Sequence, residues 1–157
     1  MNKHFALLFL CLFTFVFAAN AQRMQEWTWD AYKTKFSVPS SFKVIENTDE
    51  SFSAGNNTMN LTIYPRSGEN LQYNKMSGAL TRWARENSVT YSGSPNYMED
   101  LNGYWGCYID GKTGGSPVSL LLLVDPDYPD ISMYIWLSYT SADYNTAVNV
   151  LKSFTPN

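Results

Sequence analysis

The chain reads as an α+β domain in which a mostly antiparallel sheet is layered with two helices, and three features of its sequence predict this. Short runs of alternating polar and apolar residues recur six to eight times between Lys35 and Tyr139, the mark of half-buried strands. The apolar period lengthens to that of a helix only twice, over Tyr73–Glu86 and again after Ser141. One run, Ser119–Val124, is apolar on both parities, as a central strand covered on both faces must be. Helices on either side of the sheet would supply that cover.

Gln22–Asp30 is short and polar apart from Trp27 and Trp29, and reads as a lead-in that docks one or both rings. Lys35–Val38 alternates up to Pro39, and Phe42–Ile45 follows the turn-like Pro39-Ser40-Ser41 as a second strand. Ser51–Ala54 is a third, closed by Gly55-Asn56-Asn57. Thr58–Tyr64 alternates most cleanly, with Met59, Leu61 and Ile63 on one face and Asn60, Thr62 and Tyr64 on the other.

Over Tyr73–Glu86, Tyr73, Met76, Ala79, Leu80 and Trp83 form an apolar stripe, and Lys75, Arg82, Arg85 and Glu86 fall largely opposite it. A loop through Ser92-Gly93-Ser94-Pro95 leads to three strand-like runs, Tyr97–Asp110, Pro117–Val124 and Ile131–Tyr139. Asn102-Gly103 is a hairpin signal that splits the first of them. In the last, Ile131, Met133, Ile135, Leu137 and Tyr139 share a face, and Tyr134 and Trp136 lie on the other, where a helix is expected to cover them. Ser141-Ala142-Asp143 then caps a helix striped by Tyr144, Ala147, Val148 and Leu151.

The address comes from the first 21 residues. Lys3 and His4, the apolar run Phe5–Phe17 and the small residues of Ala19-Asn20-Ala21 have the order of a secretory signal, with the mature chain expected to begin at Gln22. A bilayer span needs about 20 apolar residues, which this run does not reach, and no later segment is longer, so no transmembrane span is expected after cleavage. Taking 21 residues from 157 leaves 136, enough for one domain over 22–157.

Cleavage would remove the single histidine, His4, and one of two cysteines, leaving Cys107 without an internal disulfide partner. Packing of the five tryptophans and many Tyr and Phe rings must then replace covalent staples. Loss of Lys3 leaves ten basic residues against fourteen acidic ones, so the formal charge moves from -3 to -4. With that mild acidity and no basic cluster, nucleic acid is not an expected partner.

Without a histidine in the mature chain, most acid–base and nucleophilic catalysis loses its usual base. Cys107 alternates with Trp105 and Ile109 and reads as a small buried hydrophobe rather than a reactive thiol. Asp125, Asp127 and Asp130 put three carboxylates into six residues, a donor set suited to calcium. The same segment joins two strands, lacks an EF-hand glycine and terminal glutamate, and suits a rigid turn better. Glu99 and Asp100 with Asp110 are the nearest approach to a glycosidase-like pair, and solvated strand ends explain them better. Lys112–Ser116 lacks the phosphate-loop pattern and reads as a hairpin tip. No cofactor signature is present, and the two Asn-x-Thr triplets at Asn56 and Asn60 match a glycosylation pattern that is common by chance and carry no weight.

The order of elements resembles a known scaffold. Phe36-Ser37-Val38-Pro39-Ser40-Ser41-Phe42-Lys43-Val44, the strand ending near Tyr64-Pro65-Arg66, a helix, a meander of long strands and the closing Leu151-Lys152-Ser153-Phe154 together are similar to the PsbP-like superfamily. The resemblance implies an α/β/α sandwich with a central antiparallel sheet. The group shares that scaffold and no catalytic residue set, so it implies a fold rather than a chemistry. The resulting expectation is a secreted or periplasmic non-enzymatic protein that binds another protein or an envelope component. The alternative is a small-ligand or carbohydrate binder with an aromatic-lined groove, for which Tyr64, Tyr104 and Tyr108 are the candidate residues. A hydrolase working through carboxylates alone is a third reading.

Overall fold

Two antiparallel sheets and two short helices account for residues 22–157, the part of the chain that the computed structural model describes. The signal read over Met1–Ala21 lies outside the described residues. The strands are β1 Met24–Trp29, β2 Thr34–Pro39, β3 Lys43–Asn47, β4 Phe52–Gly55, β5 Met59–Ser67, β6 Asn96–Leu101, β7 Tyr104–Thr113, β8 Ser116–Val124, β9 Ile131–Tyr139 and β10 Thr155–Pro156. Helix α1 spans Met76–Glu86 and α2 Tyr144–Lys152, each entered through one 3-10 turn.

The larger sheet has the order β3-β4-β5-β9-β8-β7-β6 and the smaller β1-β2-β10. Most neighbours in the larger sheet are hairpin partners, as local connections favour. The exception is β5 with β9, which run antiparallel from Met59 opposite Tyr139 to Ser67 opposite Ile131. This non-local pairing joins the β3–β5 and β6–β9 meanders into one sheet with β9 at its centre, and the side chains of β8 and β9 are among the most buried of the described residues.

Strand β8 shows why the sequence had to be apolar on both parities. Leu121 and Leu123 join a core with Trp29, Phe36, Phe52, Leu61, Ile63 and Phe154, while Leu120, Leu122 and Val124 join a second core with Met76, Leu80 and Trp83 of α1. The first core lies against the small sheet and α2, the second against α1. The mixed α+β class therefore holds, with one face of the large sheet shared between strands and a helix.

Three local expectations change. Gln22–Asp30 is not a lead-in but contains β1, paired from Met24 opposite Pro39 to Trp29 opposite Thr34. The period-two spacing of Trp27 and Trp29 was its signal. Their rings pack edge-on and tilted against Phe52, with Trp29 only 1% exposed. The chain also continues past Phe154 into β10, which pairs with β2 through Thr155 and Pro156. Finally, α1 covers Tyr134, which is 1% exposed, but leaves Trp136 half-buried.

Candidate functional site

Coverage of the large sheet on the α1 side is set by widths. Seven strands about 4.8 Å apart span roughly 30 Å, whereas one helix with its side chains is about 10–12 Å across. Helix α1 packs over β7 and β8, so β5 lies two strands away in the sheet order. The face that β5 turns toward this side is the polar one, Asn60, Thr62 and Tyr64, with Tyr64 43% exposed.

Between that face and the C-terminal end of α1 opens a cleft of about 750 Å³. Its floor and walls are Asn60, Thr62, Tyr64 and Trp136 from the sheet, Trp83, Glu86 and Asn87 from the end of α1, with Glu50, Pro65 and Arg66 at the rim. Trp83, 5% exposed, organises the aromatic side. Its ring stands edge-on to Tyr64 at 6.2 Å, to Trp136 at 6.0 Å and to Tyr134 at 5.2 Å, all T-shaped arrangements that the aromatic quadrupole favours. Thr62 and Trp136 are direct cross-strand partners, and Tyr64 sits opposite Tyr134.

At the Arg66 side of the cleft the charges are already matched. The Arg66 guanidinium lies 4.2 Å over the Tyr134 ring, and its Nη1 is 3.8 Å from Glu69 Oε1. The Tyr134 hydroxyl donates to Glu69 Oε2 at 2.9 Å. Burial first, then the Glu69 carboxylate, push that hydroxyl far above the ordinary tyrosine range, so it stays protonated.

The polar floor is held more loosely. Thr62 Oγ1 lies 3.4 Å from Ser53 Oγ and 3.4 Å from Asn60 Oδ1, at the long limit of hydrogen bonding. Asn87 donates from Nδ2 to the Trp83 carbonyl at 2.8 Å, which closes the end of α1.

Smaller clefts lie elsewhere. One of about 420 Å³ sits between α2 and the β6–β7 edge and contains Tyr108, Asp110 and Tyr144. There Asp110 accepts from Ser119 at 2.6 Å and from Tyr144 at 3.3 Å, and the Ser119 and Tyr139 hydroxyls are 3.0 Å apart. Another, of about 430 Å³, is lined by Tyr32, Tyr104, Asp125 and Tyr128.

The three candidate tyrosines are thus not brought together. Tyr64 borders the α1-side cleft, Tyr108 the α2-side cleft, and Tyr104 is 2% exposed with its hydroxyl bonded to Thr34. Asp125 and Asp130 serve the β8–β9 connection. Asp125 Oδ1 accepts the Asp127 N–H at 2.9 Å, and Asp130 Oδ1 accepts the Gly68 N–H at 3.1 Å and the Asn70 amide at 3.4 Å. Among the described residues no group of three or more His, Cys, Asp or Glu is arranged to hold a metal ion.

Of the other candidates, Asp100 accepts the Gly103 N–H at 2.7 Å in its hairpin, and Gly114 and Gly115 make the turn between β7 and β8 at φ 54° and 81°. Cys107 is fully buried, and burial pushes its thiol up to about 12. No described helix is long and apolar enough to cross a membrane.

Sequence reasoning missed the grouping of Trp83, Trp136, Asn60 and Thr62. Each was assigned to the correct face of its own element, and the uncovered polar face of β5 was the available signal.

Fold and cleft together define a small α+β protein with an open, partly aromatic groove on one sheet face. No family model and no curated protein sequence matches the chain. Solved structures do share its fold. The cyanobacterial PsbP protein CyanoP of Synechocystis sp. PCC 6803 superposes with a TM-score of 0.65 at 10% identity, covering 89% of this chain and 96% of that one. The Ran-binding protein Mog1p of Saccharomyces cerevisiae gives a TM-score of 0.59 at 8% identity, over 87% and 96% of the two chains. A Bacteroides thetaiotaomicron protein gives 0.53 at 16% identity over 85% of this chain and 48% of its own. These likenesses establish a PsbP-like fold.

Proposed function

We propose that this chain is a secreted or periplasmic, non-enzymatic binding protein built on the PsbP-like α/β/α scaffold, and that it holds an envelope component in the α1-side cleft. The cleft carries this reading: about 750 Å³ of open space, bordered by aromatic rings and polar side chains that the fold leaves free, is a shape suited to a ligand. The export signal read over Met1–Ala21 supports the compartment, and the yeast neighbour, named as Ran-binding, supports the use of this scaffold for binding.

Two measurements test it. Mass spectrometry of the exported protein should show a chain beginning at Gln22, and a retained Met1 would remove the compartment argument. Purified mature protein should co-sediment saturably with isolated cell envelopes of its own organism, and Trp136→Ala should lose about tenfold of that affinity. Equal sedimentation of both proteins, or none of either, would count against the cleft.

A further inference from the structure

We infer that the α1-side cleft is a saccharide site, in which the C–H face of a pyranose ring stacks on Trp136 beside Tyr64 and its hydroxyls are held by Asn60, Thr62, Glu50 and Glu86. This deepens the binding function proposed above and rests on it.

A sugar has an apolar ring face and a rim of hydroxyls, each both donor and acceptor. It therefore needs a flat ring beside closely mixed amide, hydroxyl and carboxylate groups. The cleft offers that combination from neighbouring positions: Thr62 is directly opposite Trp136 across the β5–β9 pair, and Asn60 and Tyr64 flank it on the same face of β5. The rings are preorganised, because Trp83 is buried and meets Tyr64 and Trp136 edge-on.

The polar groups have no competing structural duty. Among the described residues the Glu50 and Glu86 carboxylates make no side-chain hydrogen bond or ion pair, and the Thr62 hydroxyl has only contacts of 3.4 Å. A hydroxyl of a ligand would replace those long contacts with shorter ones.

Charge narrows the class. Arg66 is the one cation among the lining residues, and it is already placed over Tyr134 and next to Glu69. Two uncommitted carboxylates remain, so uronic acids, sialylated glycans and phosphorylated headgroups are repelled, while neutral and amino sugars are accepted. A peptide fits less well, since its anchoring side chain wants an enclosed apolar pocket and this cleft is an open groove with a polar floor.

The test is an array of neutral, amino and anionic oligosaccharides probed with the mature protein, followed by calorimetric titration of the best binder. Neutral or amino oligosaccharides should bind, anionic ones should not, and Trp136→Ala and Tyr64→Ala should each weaken the titrated affinity about tenfold or more. Glu86→Gln should relax the rejection of tetragalacturonate. Tyr64→Ala keeps the test decisive if Trp136→Ala fails to fold, because the Tyr64 side chain is already 43% exposed. A silent array, preference for anionic glycans, or binding untouched by the cleft variants would overturn the inference. A silent array with cleft-dependent envelope binding would refute the saccharide and keep the binding function, with a protein as the occupant. Failure of both would sink both.

Discussion

The Tyr104 hydroxyl donates to Thr34 Oγ1 at 2.9 Å, joining the large sheet to the small one inside the first core. Both side chains are buried, at 2% and 0% exposure, so neither group has water to fall back on. Removing one partner of a buried pair costs about 1–3 kcal/mol where the other loses its only good bond, and the Thr34 hydroxyl would keep just a long contact of 3.4 Å to the Thr155 carbonyl, whereas removing both costs less than the sum. Tyr104→Phe and Thr34→Val should each destabilise the domain in urea denaturation, and the double variant should cost clearly less than the two added. Strict additivity would mean that the bond contributes nothing.

Alkaline pH should unfold this domain through the same interior. Burial raises the Tyr104 hydroxyl from 10.0 to about 12 and the Cys107 thiol from 9.0 to about 12. In the unfolded chain these groups lose protons near their ordinary values, while the folded chain keeps them, so the unfolded state binds fewer protons above pH 9.0. Stability is therefore full below that pH and falls as pH rises through 9.0 toward about 12. Denaturant titrations at a series of pH values should show this decline, and Cys107→Ala combined with Tyr104→Phe should make it shallower. An unchanged slope in the double variant would point to other groups.

The buried thiol has a second consequence. Protonated and fully enclosed, Cys107 should react with an alkylating reagent in native buffer far more slowly than a free model thiol, and at a normal rate in denaturant. Native reaction at the model rate would contradict its place in the second core.

Asn102 does more than turn a hairpin. It sits at φ 54°, and its Nδ2 donates to the carbonyls of Lys152 at 2.8 Å and Phe154 at 2.9 Å, tying the β6–β7 turn to the end of α2. Asn102→Gly keeps the backbone shape and loses both bonds, for a cost of about 1–2 kcal/mol. Asn102→Ala adds left-handed strain of roughly 1 kcal/mol more. Thermal denaturation should rank them in that order, with faster amide exchange at Val150 and Leu151; equal melting of both with the parent would show the cap to be idle.

Two glycines should respond with opposite signs. A Cβ on Gly111 would meet the Thr90 carbonyl oxygen at 2.6 Å, where Thr90 and Lys112 exchange two backbone hydrogen bonds of 2.9 Å, so the bridge must shift. Gly111→Ala should destabilise by about 1–3 kcal/mol. A Cβ on Gly78 in α1 meets nothing within 4 Å, and Gly78→Ala should stabilise by roughly 0.5–1 kcal/mol through better helix propensity. Denaturation midpoints moving in the same direction would refute the contrast.

Local periodicity decided a great deal of this protein. It placed Met59, Leu61 and Ile63 on one face of β5 and Asn60, Thr62 and Tyr64 on the other, put Cys107 with Trp105 and Ile109, split β6 from β7 at Asn102-Gly103, and marked β8 as buried on both sides. These are properties of a few neighbouring residues, since a strand alternates and a helix repeats whatever lies across from it. Pairing order is not local. That β5 lies beside β9, that β1, β2 and β10 form a sheet of their own, and that α1 rests over β7 and β8 are decided by which apolar faces bury one another across the whole chain. The cleft follows from those choices: a helix narrower than the sheet leaves the polar face of β5 open, and Trp136, expected beneath a helix, stands at its border.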